Sequence, residues 1–313
     1  MKLLPLVLAS AGLLTTGLLT AGCGTGQAGS LGSLPAGGAS SGTSQPSAPA
    51  SPPSSSSPGA PQSPGGPSSS PTPTGPARQI GLQAWFTRNG RLFETERFVP
   101  ATPGVAAAAI GGVLAGPSAA EYAAGLRSQI PAGTALRGVR IAGGIATVDL
   151  SSSFVSAATK PTMPLRIAQL VYTATQFPTV RGVRFALDGQ GVTVLGGVPV
   201  QSPQTRAMDS SYLPAITVQS PAIGAQVTSP VTVAGTADVF EATVSVRLLD
   251  SAGHEIARTF TTATCGTGCR GDYSAAITYS VPRTERGVIE VFESSAKNGQ
   301  PINVQLIPVT LSA

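Results

Sequence analysis

The chain has 313 residues, room for about two domains, yet only 11% are charged and 5% aromatic, while 38 are Gly and 28 are Pro. That much Gly and Pro excludes a single compact globule and requires a low-complexity segment. The net charge of +5 is carried by scattered Lys and Arg without a basic run; it suits anionic partners such as lipid headgroups or wall polymers, and equally a chain merely kept soluble, and no nucleic-acid partner is expected.

Lys2 opens a positive n-region, and residues 3–19 form an apolar stretch broken by Gly12 and Gly17. The stretch is shorter than the roughly 20 apolar residues that cross a bilayer, and small residues follow it, so residues 1–22 read as a secretory leader. Leu19-Thr20-Ala21-Gly22-Cys23 resembles the lipobox of bacterial lipoproteins, with Thr20 where that pattern favours Leu. The resemblance implies cleavage before Cys23, acylation of its sulfur, and a lipid anchor on the extracytoplasmic face of the cell membrane. More than one acyl chain is enough for stable anchoring. An ordinary secretory signal is the alternative. Arg in excess of Lys, with abundant Ala, Gly and Pro, is the usage of a high-GC bacterium, an actinobacterium for instance.

Residues 24–77 carry no charge and consist mainly of Ser, Pro, Gly, Ala and Thr. Such a segment buries too little apolar surface to offset the entropy of ordering it, so residues 23–77 read as a disordered linker. It would span on the order of 40 Å as a coil and roughly 170 Å as extended polyproline II.

A first folded domain is expected over residues 78–201. Leu82, Ala84 and Phe86 alternate with Gln83, Trp85 and Thr87, the period of a strand. Asn89-Gly90 is a hairpin turn, and residues 91–99 return as the partner. A helix follows, with Thr102 as N-cap, Pro103 at the first helical position and Gly116-Pro117 as its stop. It has no charge, so it lies either inside the core or at an interface. Residues 136–141 and 145–150 read as strands. Pro164 opens a second helix with an apolar stripe of Leu165, Ala168, Val171, Tyr172 and Thr175. Val183 and Phe185 share a face of the next strand, and Val192 and Val194 a face of the last, with Asp188-Gly189 turning between. This order predicts an α+β domain with helices on an antiparallel sheet.

Several motifs in this domain resemble the GerMN domain of bacterial sporulation and spore-germination proteins. They are Leu114-Ala115-Gly116-Pro117, Ile130-Pro131-Ala132-Gly133-Thr134, Ala146-Thr147-Val148-Asp149-Leu150-Ser151, Ala168-Gln169-Leu170-Val171-Tyr172-Thr173, and Gln176-Phe177-Pro178-Thr179-Val180. The resemblance implies a non-catalytic envelope domain, in some members part of ring-like or channel-associated assemblies, and brings no catalytic residue. Asp149 is either a partner-facing carboxylate or an Asx-type cap on residues 151–153.

Residues 202–213 read as a polar linker. Residues 214–313 show strand signals at short intervals: 216–219, 231–235, 243–249, 255–261, 273–279, 288–292 and 302–311. Val244, Val246 and Leu248 are expected to face inward, as are Ile302, Val304 and Leu306, and Pro308 suits an edge. About seven strands in roughly 100 residues predict an all-β immunoglobulin-like sandwich. Ser220-Pro221, Ser229-Pro230-Val231, Gly235-Thr236-Ala237, Phe240-Glu241-Ala242 and Val291-Phe292-Glu293-Ser294-Ser295-Ala296 resemble the immunoglobulin-like domain of bacterial spore germination proteins. Cys265 and Cys269 read as a small disulfide loop of at most about 3 kcal/mol. Zinc lacks further ligands nearby, and the spacing is not that of a redox pair. Glu241 and Glu293 either serve adhesion or make strand-end hydrogen bonds.

Chemistry is sparsely supplied. The one His, His254, adjoins Glu255, which points to the opposite face of a strand. Glu94, Glu96 and Asp149 have no spacing that marks a glycosidase pair. No enzyme activity, metal or cofactor is expected. The leading expectation is an anchored interaction module docking a protein partner in an envelope assembly. The alternative binds anionic wall polymer or headgroups through Arg137, Arg140, Arg166, Arg181 and Arg184; a wall hydrolase ranks third.

Overall fold

Strands β1 (Gln79–Arg88) and β2 (Arg91–Pro100) pair antiparallel from end to end. Asn89 and Gly90 both adopt positive φ, 52° and 73°, as a tight hairpin turn requires. The computed structural model containing this hairpin describes residues 78–313. The expected leader, Cys23 and the linker to residue 77 lie outside those residues.

The hairpin is buried on both faces, not on one. Leu82, Ala84 and Phe86 are inside, and so are Trp85 and Thr87 on the other side. Helix α1 (Val105–Leu114) packs against β1 through Ala106, Ala109, Ile110 and Val113. It starts later than its sequence signals suggest. Gly104 is its N-cap, and Thr102 instead accepts a local hydrogen bond from the Gly104 N–H (3.2 Å). A short helix, α2 (Ala119–Ala123), follows behind a capping box of Ser118 and Glu121.

Strands β3 (Leu136–Ala142) and β4 (Ile145–Leu150) form the next hairpin. Helix α3 (Thr162–Ala174) then carries the chain back to β5 (Gly182–Leu187), which lies parallel to β4. The sheet is therefore mixed rather than antiparallel, because a helical crossover returns the chain to the end where β4 began. Strand β6 (Gln190–Val192) completes the order β3-β4-β5-β6. The expected strand through Val192 and Val194 is broken. Val194 belongs to a separate small hairpin, β7 (Val194–Leu195) and β8 (Val198–Pro199), and is 54% exposed.

Helix α3 holds more than an apolar stripe. Residues 166–174 are all buried, including Gln169 and Thr173. Among the described residues, the edge of β1 opposite β2 meets only an isolated bridge from Thr87 to Arg127, and α3 supplies partners for the rest. Gln169 Nε2 donates to the Trp85 carbonyl (2.9 Å), and the Trp85 N–H donates to Thr173 Oγ1 (3.2 Å). The Gln83 N–H donates to Gln176 Oε1 (2.8 Å), while Gln176 Nε2 donates to the Gln83 carbonyl (2.9 Å). Spacings of four and three put Gln169, Thr173 and Gln176 along one side of the chain as it leaves the helix.

The second domain is a two-sheet sandwich. Its strands are β9 (Ile216–Ser220), β10 (Gln226–Val227), β11 (Val231–Ala237), β12 (Thr243–Leu249), β13 (Glu255–Thr262), β14 (Gly271–Ile277), β15 (Glu285–Ser294) and β16 (Pro301–Leu311). One sheet runs β10-β16-β15-β12-β13 and the other β14-β11-β9. Val244, Val246 and Leu248 face in. In β16 the expectation fails. Ile302, Val304 and Leu306 are exposed, whereas Ile307, Val309 and Leu311 are buried. This strand is apolar at both parities, and its register on β15, with Ile307 opposite Ile289, decides which set turns inward. Pro308 is not on an open edge as expected: β10 follows β16 in the sheet, and the Pro308 carbonyl accepts from the Gly224 N–H (2.8 Å) on the side away from β15. Gly235 marks a register shift between β11 and β9, where a Cβ would lie 2.1 Å from the Thr217 carbonyl oxygen.

Residues 202–213 are ordered. A 3-10 turn over Arg206–Tyr212 packs against α3. Strand β2 lies against β9, and the hairpin tip reaches β16, where Arg88 donates to the Leu306 carbonyl (2.9 Å) and Gln305 Oε1 (2.7 Å). Buried apolar residues of both domains form one contiguous cluster.

Candidate functional site

The register of β1 on β2 sets Gln83 opposite Glu96 and Trp85 opposite Glu94. All four point to the hairpin face that the second domain partly covers. Strand β9 brings Gln219 and Ser220 to the same place, and the tail of α3 brings Gln176. Gly81, Gln83, Glu94, Glu96, Gln176, Gln219 and Ser220 line a polar cleft of about 320 Å³ at the domain junction. Gly81 leaves space that the Glu96 side chain fills, since a Cβ there would lie 2.0 Å from Glu96 Oε1.

Glu94 is 4% exposed. Burial pushes its carboxyl up to about 7, although Gln219, the charge of Arg206 and Gln83 pull it down; Glu96 adds to the rise. Its Oε1 has no hydrogen-bond partner, nor does Gln83 Oε1 beside it. Below the cleft, the Trp85 and Tyr172 rings lie 4.9 Å apart. Arg206 sits 4.8 Å from the Tyr172 ring centre and donates to Thr175 Oγ1 (2.7 Å) and the Tyr172 carbonyl (2.8 Å). Asp209 is buried beside Gln204, and burial raises its carboxyl to about 6.

Residues 84–193 match the family model described as sporulation and spore germination, and residues 215–300 match that of the immunoglobulin-like domain of bacterial spore germination. A GerMN-type domain is thus joined to an immunoglobulin-like domain of the spore-germination kind. Among solved structures, the tandem GerMN domains of the sporulation protein GerM from Bacillus subtilis share 14% identity over 75% of this chain, with a TM-score of 0.37. The chain spans 61% of that structure. The first GerMN domain of the same protein shares 19% identity over 41% of this chain and 98% of its own length, with a TM-score of 0.34. No curated protein matches the sequence.

The arginines of the GerMN domain do not gather as one set. Arg166 is buried, stacks on Phe154 and donates to the carbonyls of Phe154 and Ser156, so it closes a loop and is no surface anion ligand. Its place in the middle of a buried helix face was hidden by the expected stripe. Arg137 pairs with Asp188 (3.2 Å), and Arg181 donates to the Gly143 carbonyl (3.2 Å). Arg140 and Arg184 are exposed and lie in register on either side of Thr147, on the sheet face away from α3. Asp149 accepts from the Gly189 N–H (3.0 Å), not from residues 151–153; Asp188 caps the Ser152 N–H instead (3.0 Å).

In the immunoglobulin-like domain, Cys265 and Cys269 are joined by a disulfide with Cα atoms 5.5 Å apart. Glu293 is buried and accepts from the Phe240 N–H (3.1 Å) and Asn303 Nδ2 (2.7 Å), while Glu241 is exposed at positive φ. The His254 side chain is 80% exposed, with Asp250 3.4 Å away. Among the described residues, no three His, Cys, Asp or Glu side chains cluster to hold a metal ion, and no helix is long and apolar enough to cross a membrane. Sequence reasoning considers Glu94 and Glu96 only as members of a glycosidase pair and misses Gln83, Gln176 and Gln219. The period-two pattern of β1 and β2 places these acids on one face, but nothing local signals that β9 would cover it.

Proposed function

We infer that this chain is a lipid-anchored, extracytoplasmic and non-catalytic interaction module of the bacterial cell envelope, acting in a sporulation- or germination-linked assembly. Both domains are of families described by that process. The observation that carries the reading is the fixed junction. The β1–β2 hairpin is a wall of both domains, through Arg88 on β16 and β2 on β9. Two modules held at one angle present their outer faces as a single surface, which suits docking into an assembly better than two beads on a string. Cys23 supplies the anchor, and residues 24–77 supply reach. Cross-linking in the native envelope should recover a protein partner, and intact-mass analysis should find Cys23 acylated. Recovery of monomer alone, or a bare Cys23, contradicts the reading.

A second reading is binding of anionic wall polymer or headgroups, favoured by Arg140 and Arg184 flanking Thr147 on an open sheet face. It predicts salt-sensitive retention on purified cell wall that R140A/R184A loses. Retention indifferent to salt dismisses it.

A further inference from the structure

The junction cleft has an unusual balance of hydrogen-bonding groups. Two acceptors in its wall, Glu94 Oε1 and Gln83 Oε1, are buried and receive no donor from the protein. Buried polar atoms are nearly always paired, and a buried carboxylate left unpaired is costly. One buried donor, Trp85 Nε1 across the hairpin from Glu94, is likewise unpaired, and the Gln219 and Gln83 amides favour the charged Glu94 carboxylate; the other donors serve the protein itself. Both ends of the Gln176 amide serve the backbone of β1. Arg206, the cation whose charge reaches Glu94, is held by Thr175 and the Tyr172 carbonyl. Glu96 adds a second negative charge at the mouth. The site therefore brings two unpaired acceptor atoms and two carboxylates together against a single unpaired indole donor.

The group that answers such a deficit carries several N–H donors and a positive charge. A primary ammonium does so with three donors on one atom. Calcium takes six to eight oxygen ligands, part of which would have to be water here, and no three acidic, His or Cys side chains cluster among the described residues. The cleft volume of about 320 Å³ is at the small end of ligand pockets and suits a molecule of amino-acid size. Gln219 and Ser220 come from the immunoglobulin-like domain, and the two acids come from the GerMN domain. An occupant would thus touch both.

We propose that the junction cleft binds a small primary ammonium ion, with Glu94 as its charged acceptor, Gln83 Oε1 as the second acceptor, and Gln219 contributed by the other domain. This assignment does not depend on the anchoring or assembly role.

The chain has one Trp, and Trp85 lies directly across the hairpin from Glu94, so its fluorescence reports on this site. The full chain is titrated at pH 8 with Nα-acetyl-lysine amide and, separately, with the same compound acetylated at Nε, with binding heats measured in parallel. The free amine is expected to bind saturably and its acetylated counterpart not at all. Glu94→Gln should weaken binding by about tenfold or more, with circular dichroism and melting temperature showing it folded. Gln219→Ala, in the other domain, should weaken it as well. Lowering the pH to 6 should also weaken binding, because Glu94 takes up a proton near 7 with Glu96, Arg206 and Tyr273 as its charged or titratable neighbours. Equal binding of both probes, absence of heat with either, undiminished binding by E94Q, or the same response to calcium chloride would overturn the proposal.

Discussion

Glu121 and Glu94 are both buried in the GerMN domain, and their surroundings drive them in opposite directions. Burial pushes the Glu121 carboxyl up, but the Arg97 guanidinium, the Thr95 hydroxyl and the Ser118 N–H reverse that and leave it below its ordinary value. Removing it strands Arg97 and opens the α2 cap. Glu121→Ala is expected to cost about 3 kcal/mol, read from denaturant midpoints. Glu94 is pulled down as well, by Gln219, Arg206 and Gln83, but burial outweighs them. Its folded value near 7 stands above the ordinary 4.5, so between those values the folded protein keeps a proton that the unfolded chain has lost. Stability therefore falls as pH rises through that window, and the full cost, about 3 kcal/mol, is present at pH 8. Asp209 acts with the same sign. E94Q should melt higher than the parent at pH 8, with the difference vanishing by pH 4.5. The sequence spells a capping box, Ser118-Ala119-Ala120-Glu121, which is not among the expected elements, whereas the fate of Glu94 depends on a strand more than 100 residues away and leaves no local mark.

At the level of elements, strands and turns were the legible part. Asn89-Gly90 and Asp188-Gly189 turn with positive φ where hairpins need it, and the strands of the sandwich lie close to where alternation placed them. What hydrophobic period does not encode is the use of polar side chains between elements. Gln169 and Thr173 look like interruptions of a helical stripe, yet they pair the open edge of β1. Gln169 also accepts from the Gln129 N–H (2.8 Å). Gln169→Ala leaves the Trp85 carbonyl and that N–H unpaired, so it should cost about 2 kcal/mol or more. Hydrogen exchange should then speed at Gln129, whereas loss of packing alone would leave that amide protected. The parallel pairing of β4 and β5 was missed for a related reason: strand content is local, but direction is set by the crossover. In β16 two apolar sets compete for one core, and only pairing with β15 chooses between them.

On the scale of the whole molecule, the two-module order is evident from composition and motifs, but the junction is not. Residues 202–213 read as a linker because they are polar, while Gln204 and Asp209 are buried and Arg206 packs on Trp85 and Tyr172. The hairpin that begins the first domain is also a wall of the second. Calorimetry of the full chain tests this joint most directly. The account predicts one cooperative unfolding transition whose calorimetric and van't Hoff enthalpies agree. Two resolved transitions, one for each domain, would contradict it.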